Sequence, residues 1–290
     1  MQISRRKSTL KAPFFQLQNN LQRRFSVNSL GNFLNPRKLV YQATNSNLLL
    51  PDTNTLNHLK DLYPSFPEFS VYCGYDPTSS ALHLGNFISI LTLIRLSLFG
   101  FRPIFLIGGA TGLIGDPSGK SIERKLLEKK ELQMNLGGIE NTIRIVVENI
   151  YGYLNSEKEL DVGNNAWDGS YELINNSQFY EELNLIHFIR DFGKHFKMQV
   201  LLNKETVANR LKNEEGISFA EFSYQLLQAY DFYQLFSQKN CVMQIGGSDQ
   251  WGNITNGCDL IKKILKKEVF GLTTPLLVTS SGKKFGKSEV

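Results

Sequence analysis

Pro103-Ile104-Phe105-Leu106-Ile107-Gly108-Gly109-Ala110-Thr111-Gly112-Leu113-Ile114-Gly115-Asp116-Pro117-Ser118-Gly119-Lys120-Ser121 is the stretch on which the reading of the fold turns. A short apolar run from Pro103 to Gly108 that empties into a glycine-rich turn has the length and bounding residues of a buried strand. The pattern recurs upstream in Ser70-Val71-Tyr72-Cys73-Gly74 and downstream in Val242-Met243-Gln244-Ile245-Gly246, and a further strand is read at Val162. Between these runs, Leu84 to Phe99 has helical length with an almost continuous apolar face. Helical patterns also cover Glu123–Asn149, Glu172–Phe192, Lys204–Lys212, Ser218–Ser237 and Asp249–Lys266. Strand, turn and helix in succession predict an α/β fold built on a parallel sheet with crossover helices. Ligands of such sheets collect beyond the carboxyl ends of the strands. The turns after Tyr72, Ile107 and Ile245 are therefore where a site is expected.

Composition narrows the classes. The chain has 290 residues, 41% of them hydrophobic, enough to bury a substantial core. Its three cysteines (Cys73, Cys241, Cys258) and four histidines (His58, His83, His187, His195) are scattered, which argues against a disulfide framework and against a metal cluster. The longest apolar run, Phe87 to Phe99, is too short to span a bilayer and is interrupted by Arg95, so no membrane partner is expected.

The formal charge of +5 is unevenly placed. Arg5, Arg6, Lys7, Lys11, Arg23, Arg24, Arg37 and Lys38 all precede the first acidic residue, Asp52. Removing those eight from 32 leaves 24 basic against 27 acidic residues, so the body is slightly acidic and has no obvious phosphate-binding face. An acid-free N-terminus with arginines, serines and interspersed Phe14, Phe15, Leu17 and Leu21 has the composition of a mitochondrial transit peptide. Residues 1–38 are read as that leader, with processing after Phe25, or else as a disordered basic tail that touches RNA, and residues 39–290 as the body.

The glycine turn invites a phosphate-loop reading because it ends in Gly119-Lys120-Ser121, but that loop needs four residues between its glycines and Gly115 to Gly119 encloses three. Other segments carry more. Leu82-His83-Leu84-Gly85-Asn86 opens a helix whose free N–H groups suit an anion, with Gly85 permitting close approach. Tyr224, Gln228 and Asp231 are four and three apart and line one helical face. A phenol, an amide and a carboxylate make a poor core stripe, since each needs a partner if buried, but they make a good wall for a small polar ligand. Gln244 to Asn253 (QIGGSDQWGN) is another glycine turn leading to a helix start, and Lys283-Lys284-Phe285-Gly286-Lys287-Ser288 is a basic loop.

These segments resemble the class I tyrosyl-tRNA synthetases of the bacterial and mitochondrial kind, from about Leu39 onward. His83–Asn86 looks like the HIGH motif with Asn86 in its fourth place, and Lys284–Ser288 looks like KMSKS. The resemblance implies a Rossmann-like parallel sheet with flanking helices and a helical insertion, activation of L-tyrosine by ATP (as its magnesium complex), and transfer to tRNA(Tyr) in the mitochondrial matrix. It implies that Tyr72 and Asp231 bond the substrate phenol, that Asp116, Tyr224 and Gln228 hold its ammonium group, and that Gln250 lies near the carboxylate. Cys73, Asp76, Gly85, Asn86, Asp249 and Lys287 are the implied ATP contacts. Thr78, His83, Asn86, Lys284 and Lys287 are the implied catalytic set around the leaving pyrophosphate, with Asn164 or Asn165 near the mobile loop. It implies no protein-bound metal, a homodimer with Glu123–Leu154 near the interface, and an anticodon-binding region that this sequence lacks. The reading from a different class is an RNA-binding or scaffold protein with a decayed site.

Overall fold

A computed structural model describes residues 29–118, 127–156, 168–212 and 216–278. Its centre is β2 (Ser70–Tyr75), flanked by β3 (Arg102–Ile107) and β5 (Cys241–Gly247), both parallel to it. β4 (Glu172–Asn175) lies outside β3, and β6 (Phe270–Thr274) outside β5, again parallel. A two-residue strand, β1 (Gln42–Ala43), pairs antiparallel with β6 and completes the order β1-β6-β5-β2-β3-β4. Chain progression runs outward on one side from β2 to β4 and on the other from β5 to β6. A crevice therefore opens beyond the carboxyl ends of β2 and β5, where direction changes. In register across that junction stand Tyr72 and Gln244.

The crossover from β2 to β3 is the helix Leu84–Phe99. Before it come α1 (Leu30–Leu34) and α2 (Thr55–Leu62), so it is α3. His83 and Asn86 form a reciprocal cap at its start, and Gly100, at φ 114°, closes its end in the left-handed region that favours glycine. Ile90, Leu93, Ile94 and Leu96 bury its core side. α4 (Lys129–Ser156) is amphipathic by its spacing, burying Leu132, Leu136, Ile139, Ile143 and Val147 while Met134, Ile145 and Tyr153 face outward. Short helices α5 (Leu185–His187), α6 (Met198–Leu202) and α7 (Glu205–Leu211) precede the long α8 (Phe219–Lys239), which packs beside α9 (Trp251–Leu265).

One expectation is corrected, and one strand went unread in the sequence. Glu172–Phe192 is not a helix: its first four residues are β4, and the rest is a series of short turns of helix. Pairing of Ile104–Ile107 with Glu172–Asn175 decides the outcome, a tertiary effect that local periodicity does not report. β6, read as neither helix nor strand, is a fully buried strand. The boundary placed after residue 38 falls inside packed structure, because Leu30, Phe33 and Leu34 are buried against the core. Residues 1–28, with the leader sequence, lie outside the described residues, as do the Val162 strand, Asn164 and Asn165. No described helix is long and apolar enough to cross a membrane.

Candidate active site

The crevice holds a cavity of about 230 Å³. Its wall includes Tyr72, Cys73, Asp76, Thr78, His83, Gly85, Asn86, Asp116, Tyr224, Gln228, Asp231, Asp249 and Gln250, so every site residue read from the sequence within the described part is gathered there. Lys284 and Lys287 lie outside the described residues. Elements far apart in sequence contribute, among them the ends of β2, β3 and β5, the start of α3, and one face of α8.

Deep in the cavity stands Asp231, 2% exposed. Tyr180 donates its hydroxyl to Asp231 Oδ1 at 2.7 Å, and Asn176 Nδ2 donates to Oδ2 at 2.9 Å. Burial nevertheless pushes the carboxyl up to about 8, against the lowering effect of those two bonds. Tyr72 lines the same space with its ring fully buried, and its hydroxyl has no hydrogen-bond partner. Burial, with the nearby Asp231 charge adding to it, keeps that phenol neutral, hence a donor. Gln244, its neighbour in register, carries a buried Oε1 that also lacks a partner. Buried polar atoms are nearly always paired, so two orphans facing one cavity mark it as a place for a polar ligand.

A continuous chain of hydrogen bonds leads from this end to the other. Asn176 Nδ2 also donates to Thr111 Oγ1 at 3.0 Å, and the Ala110 N–H donates to Asn176 Oδ1 at 2.8 Å. The Thr111 hydroxyl donates to Asp76 Oδ1 at 2.8 Å, and the Tyr224 hydroxyl donates to Asp76 Oδ2 at 2.8 Å. Gly108 is required at this point: a Cβ there would stand 2.0 Å from Asp76 Oδ1. Asp76, which the resemblance placed with ATP, is thus bonded into the wall that holds Tyr224. Beside it Gln250 Nε2 donates to Asp116 Oδ2 at 2.6 Å, and Asn253 Nδ2 donates to Gln228 Oε1 at 2.9 Å. Asp76 and Asp116 make this part of the cavity acidic, which suits a cation.

At the mouth, His83 Nδ1 accepts the Gly85 N–H at 3.0 Å, and Asn86 Oδ1 accepts the His83 N–H at 3.2 Å. The ring is therefore held by its own helix start, with Nε2 as the protonated nitrogen of its neutral form. Asn135 Nδ2 on α4 donates to Pro77 O at 3.0 Å and pins the loop that carries Thr78. Among the described residues no group of three His, Cys, Asp or Glu side chains is placed to hold a metal ion.

Asn176, Tyr180, Thr111, Asn253 and Gln244 were not singled out from the sequence. Gln244 and Thr111 lay within segments already quoted, but Asn176 and Tyr180 follow a strand that was read as helix.

The family described as tRNA synthetases class I (W and Y) matches residues 66–290. The chain belongs to that family. A tyrosine–tRNA ligase of Protochlamydia amoebophila is 45% identical to this synthetase chain over 219 residues, which are 76% of the chain and 48% of the relative. The mitochondrial tyrosine–tRNA ligase of Drosophila melanogaster is 43% identical over 249 residues, 83% of the chain and 51% of the relative. The crystal structure of a C-terminally truncated mitochondrial tyrosyl-tRNA synthetase of Aspergillus nidulans superposes with a TM-score of 0.74 at 26% identity, covering 93% of this chain and 77% of that one. The fold is thus that of a class I synthetase catalytic domain. The chain spans about half the length of the curated relatives it matches.

Proposed function

We propose that this chain is the catalytic part of a mitochondrial tyrosine–tRNA ligase, forming tyrosyl-adenylate from L-tyrosine and ATP and passing the tyrosyl group to tRNA(Tyr). The observation that carries the substrate choice is the Tyr72 hydroxyl, buried without a partner in the same cavity as the Asp231 carboxyl. A phenol entering that space donates to Asp231 and accepts from Tyr72. Phenylalanine leaves the Tyr72 hydroxyl unpaired, at a cost of ~1–3 kcal/mol, and gives Asp231 no bond beyond those from Tyr180 and Asn176.

The remaining roles follow from charge and position. Asp116, Tyr224 and Gln228 hold the ammonium, joined by Asp76, and Gln250 lies toward the carboxylate. Cys73, Gly85, Asn86 and Asp249 face the nucleotide. The carboxylate attacks the α-phosphorus, one P–O bond forms as another breaks, and pyrophosphate leaves. Such a displacement needs alignment and donors where charge develops, and no side-chain nucleophile. Thr78 and His83 supply donors at the mouth, and Lys284 and Lys287 supply positive charge from the basic loop. Magnesium arrives with ATP as part of the substrate, its ligands mainly phosphate oxygens.

The acid-free N-terminus supports import into the matrix, and the outward-facing Met134, Ile145 and Tyr153 of α4 support a homodimer. Tyrosine-dependent exchange of labelled pyrophosphate into ATP by residues 26–290, with phenylalanine as control, tests the proposal. Exchange with tyrosine alone is expected. Equal exchange with phenylalanine overturns the substrate, and none from either this chain or one extended past Val290 overturns the activity.

A further inference from the structure

Away from the cavity, one ion pair among the described residues has both partners buried. Arg210, on α7, and Glu221, in the first turn of α8, have side chains 3% and 2% exposed. Arg210 Nη1 and Nη2 donate to Glu221 Oε1 and Oε2, each at 2.9 Å, and Nη2 also reaches Gly216 O at 3.1 Å. Two parallel bonds fix the guanidinium and carboxylate planes together, a constraint one bond does not impose. The surroundings are apolar: Leu201, Val207 and Phe222 form a separate small core, with Ile217 and Leu226 against it.

Stability alone does not account for the pair. Desolvating two charges costs about as much as their attraction returns, and apolar residues of similar volume often hold a fold as well. What the pair adds is geometry, applied where α8 begins. That end is otherwise held by the Ser218 hydroxyl, which accepts the Glu221 N–H at 3.3 Å. Three residues on, along the same side of the helix, comes Tyr224, whose hydroxyl reaches Asp76 across the cavity wall. Gln228 is seven on. Neither Arg210 nor Glu221 lines the cavity.

We propose that Arg210 is a positioning residue for amino-acid binding: its fork on Glu221 sets the first turns of α8 and thereby the place of the Tyr224 hydroxyl against Asp76. This rests on the reading of the cavity as the tyrosine site. The nucleotide side is built on β2, α3 and β5, none of which carries a member of the pair.

Arg210→Met alone strands a buried carboxylate and threatens folding. The tests are therefore Arg210→Met with Glu221→Met, which keeps volume without charge, and Arg210→Lys, which keeps charge without the fork. Equilibrium dialysis of L-tyrosine and of ATP, thermal melting, and hydrogen exchange of the 219–226 segment are read on the full chain. The double variant is expected to melt within a few degrees of wild type, bind ATP within twofold, bind tyrosine about tenfold more weakly and exchange faster at 219–226. Arg210→Lys is expected to weaken tyrosine about fivefold. Wild-type tyrosine affinity in the double variant overturns the proposal. Should that variant fail to fold, unchanged tyrosine affinity in Arg210→Lys overturns it. A wild-type chain that binds ATP but no tyrosine instead defeats the substrate reading. Positioning is then judged by exchange alone, and unchanged protection at 219–226 in Arg210→Lys defeats it.

Discussion

Asp231 combines two opposing influences, and their balance has a pH signature. Burial raises its carboxyl to about 8, whereas the bonds from Asn176 and Tyr180 favour the charged form. In the unfolded chain the same group titrates near the ordinary carboxylate value. Between roughly pH 4 and 8 the folded state therefore binds more protons than the unfolded one, and stability falls as pH rises through that window. Asp231→Asn removes the titration. Its amide nitrogen meets one of the two donors, at a cost of ~1–3 kcal/mol that does not vary with pH. Melting temperature from pH 5 to 8.5 should therefore decline less steeply in Asp231→Asn than in wild type, the curves converging or crossing by a few degrees toward alkaline pH. Parallel curves show that the buried carboxyl is already ionised at pH 5. In the exchange assay Asp231→Ala should lose discrimination against phenylalanine by about 100-fold, the factor for ~2.7 kcal/mol, since the phenol no longer has a buried acceptor. Asn176→Ala removes a shared partner of Asp231, Thr111 and the Ala110 N–H. It should cost ~1–3 kcal/mol in denaturant unfolding and weaken tyrosine binding more than ATP binding.

Elements differ in how much of them the sequence discloses. β2, β3 and β5 were legible because each is a short, doubly buried apolar run stopped by glycine. α3 and α8 were legible because length and capping residues agree with their patterns. β4 was not: Glu172-Leu173-Ile174-Asn175 carries no alternation, and the following Glu181–Phe192 stretch has helical spacing, so only pairing with β3 makes it a strand. With β4 went Asn176 and Tyr180, whose importance lies in contacts 55 and 51 residues away along the chain. The α8 face was read as a ligand wall on the ground that buried polar groups need partners. The structure supplies several of those partners itself, in Asp76, Asn253, Asn176 and Tyr180. Packing between elements also separates glycines that look alike in sequence. A Cβ at Gly257 on α9 would lie 2.9 Å from Phe232 Cδ1 of α8, whereas one at Gly137 on exposed α4 backbone meets nothing within 4 Å. Alanine gains up to ~1 kcal/mol of helix propensity at either site. At Gly257 that gain is outweighed by an overlap of ~1–3 kcal/mol, because Phe232 is fully buried and cannot move aside. Urea midpoints should therefore fall for Gly257→Ala and rise for Gly137→Ala. A rise at both would show that α8 and α9 can separate at small cost.

At the scale of the whole molecule, the question is where the packed unit begins. Composition placed a leader through residue 38, because acids are absent until Asp52. Packing places the start no later than Ser29. The Ser29 hydroxyl donates to Leu50 O at 2.6 Å, the Leu30 N–H donates to Thr55 Oγ1 at 3.0 Å, and the Phe33 ring lies 5.5 Å from that of Phe99 on α3. Net charge cannot register this, since Leu30, Phe33 and Leu34 are neutral and Arg37 and Lys38 sit at the end of the same segment. On the proposed reading of an import leader, a cut after Phe25 spares the buried residues and a cut after residue 38 does not. Burying three such side chains contributes ~1.5–3 kcal/mol each, so a chain starting at residue 39 should lose ~5 kcal/mol or more. For a chain of this size that corresponds to a melting temperature lower by roughly 10–20 °C. Chains starting at residues 26 and 39, compared by calorimetry, decide the matter. Equal melting temperatures would mean that α1 adds nothing to the core and would restore residue 38 as the boundary.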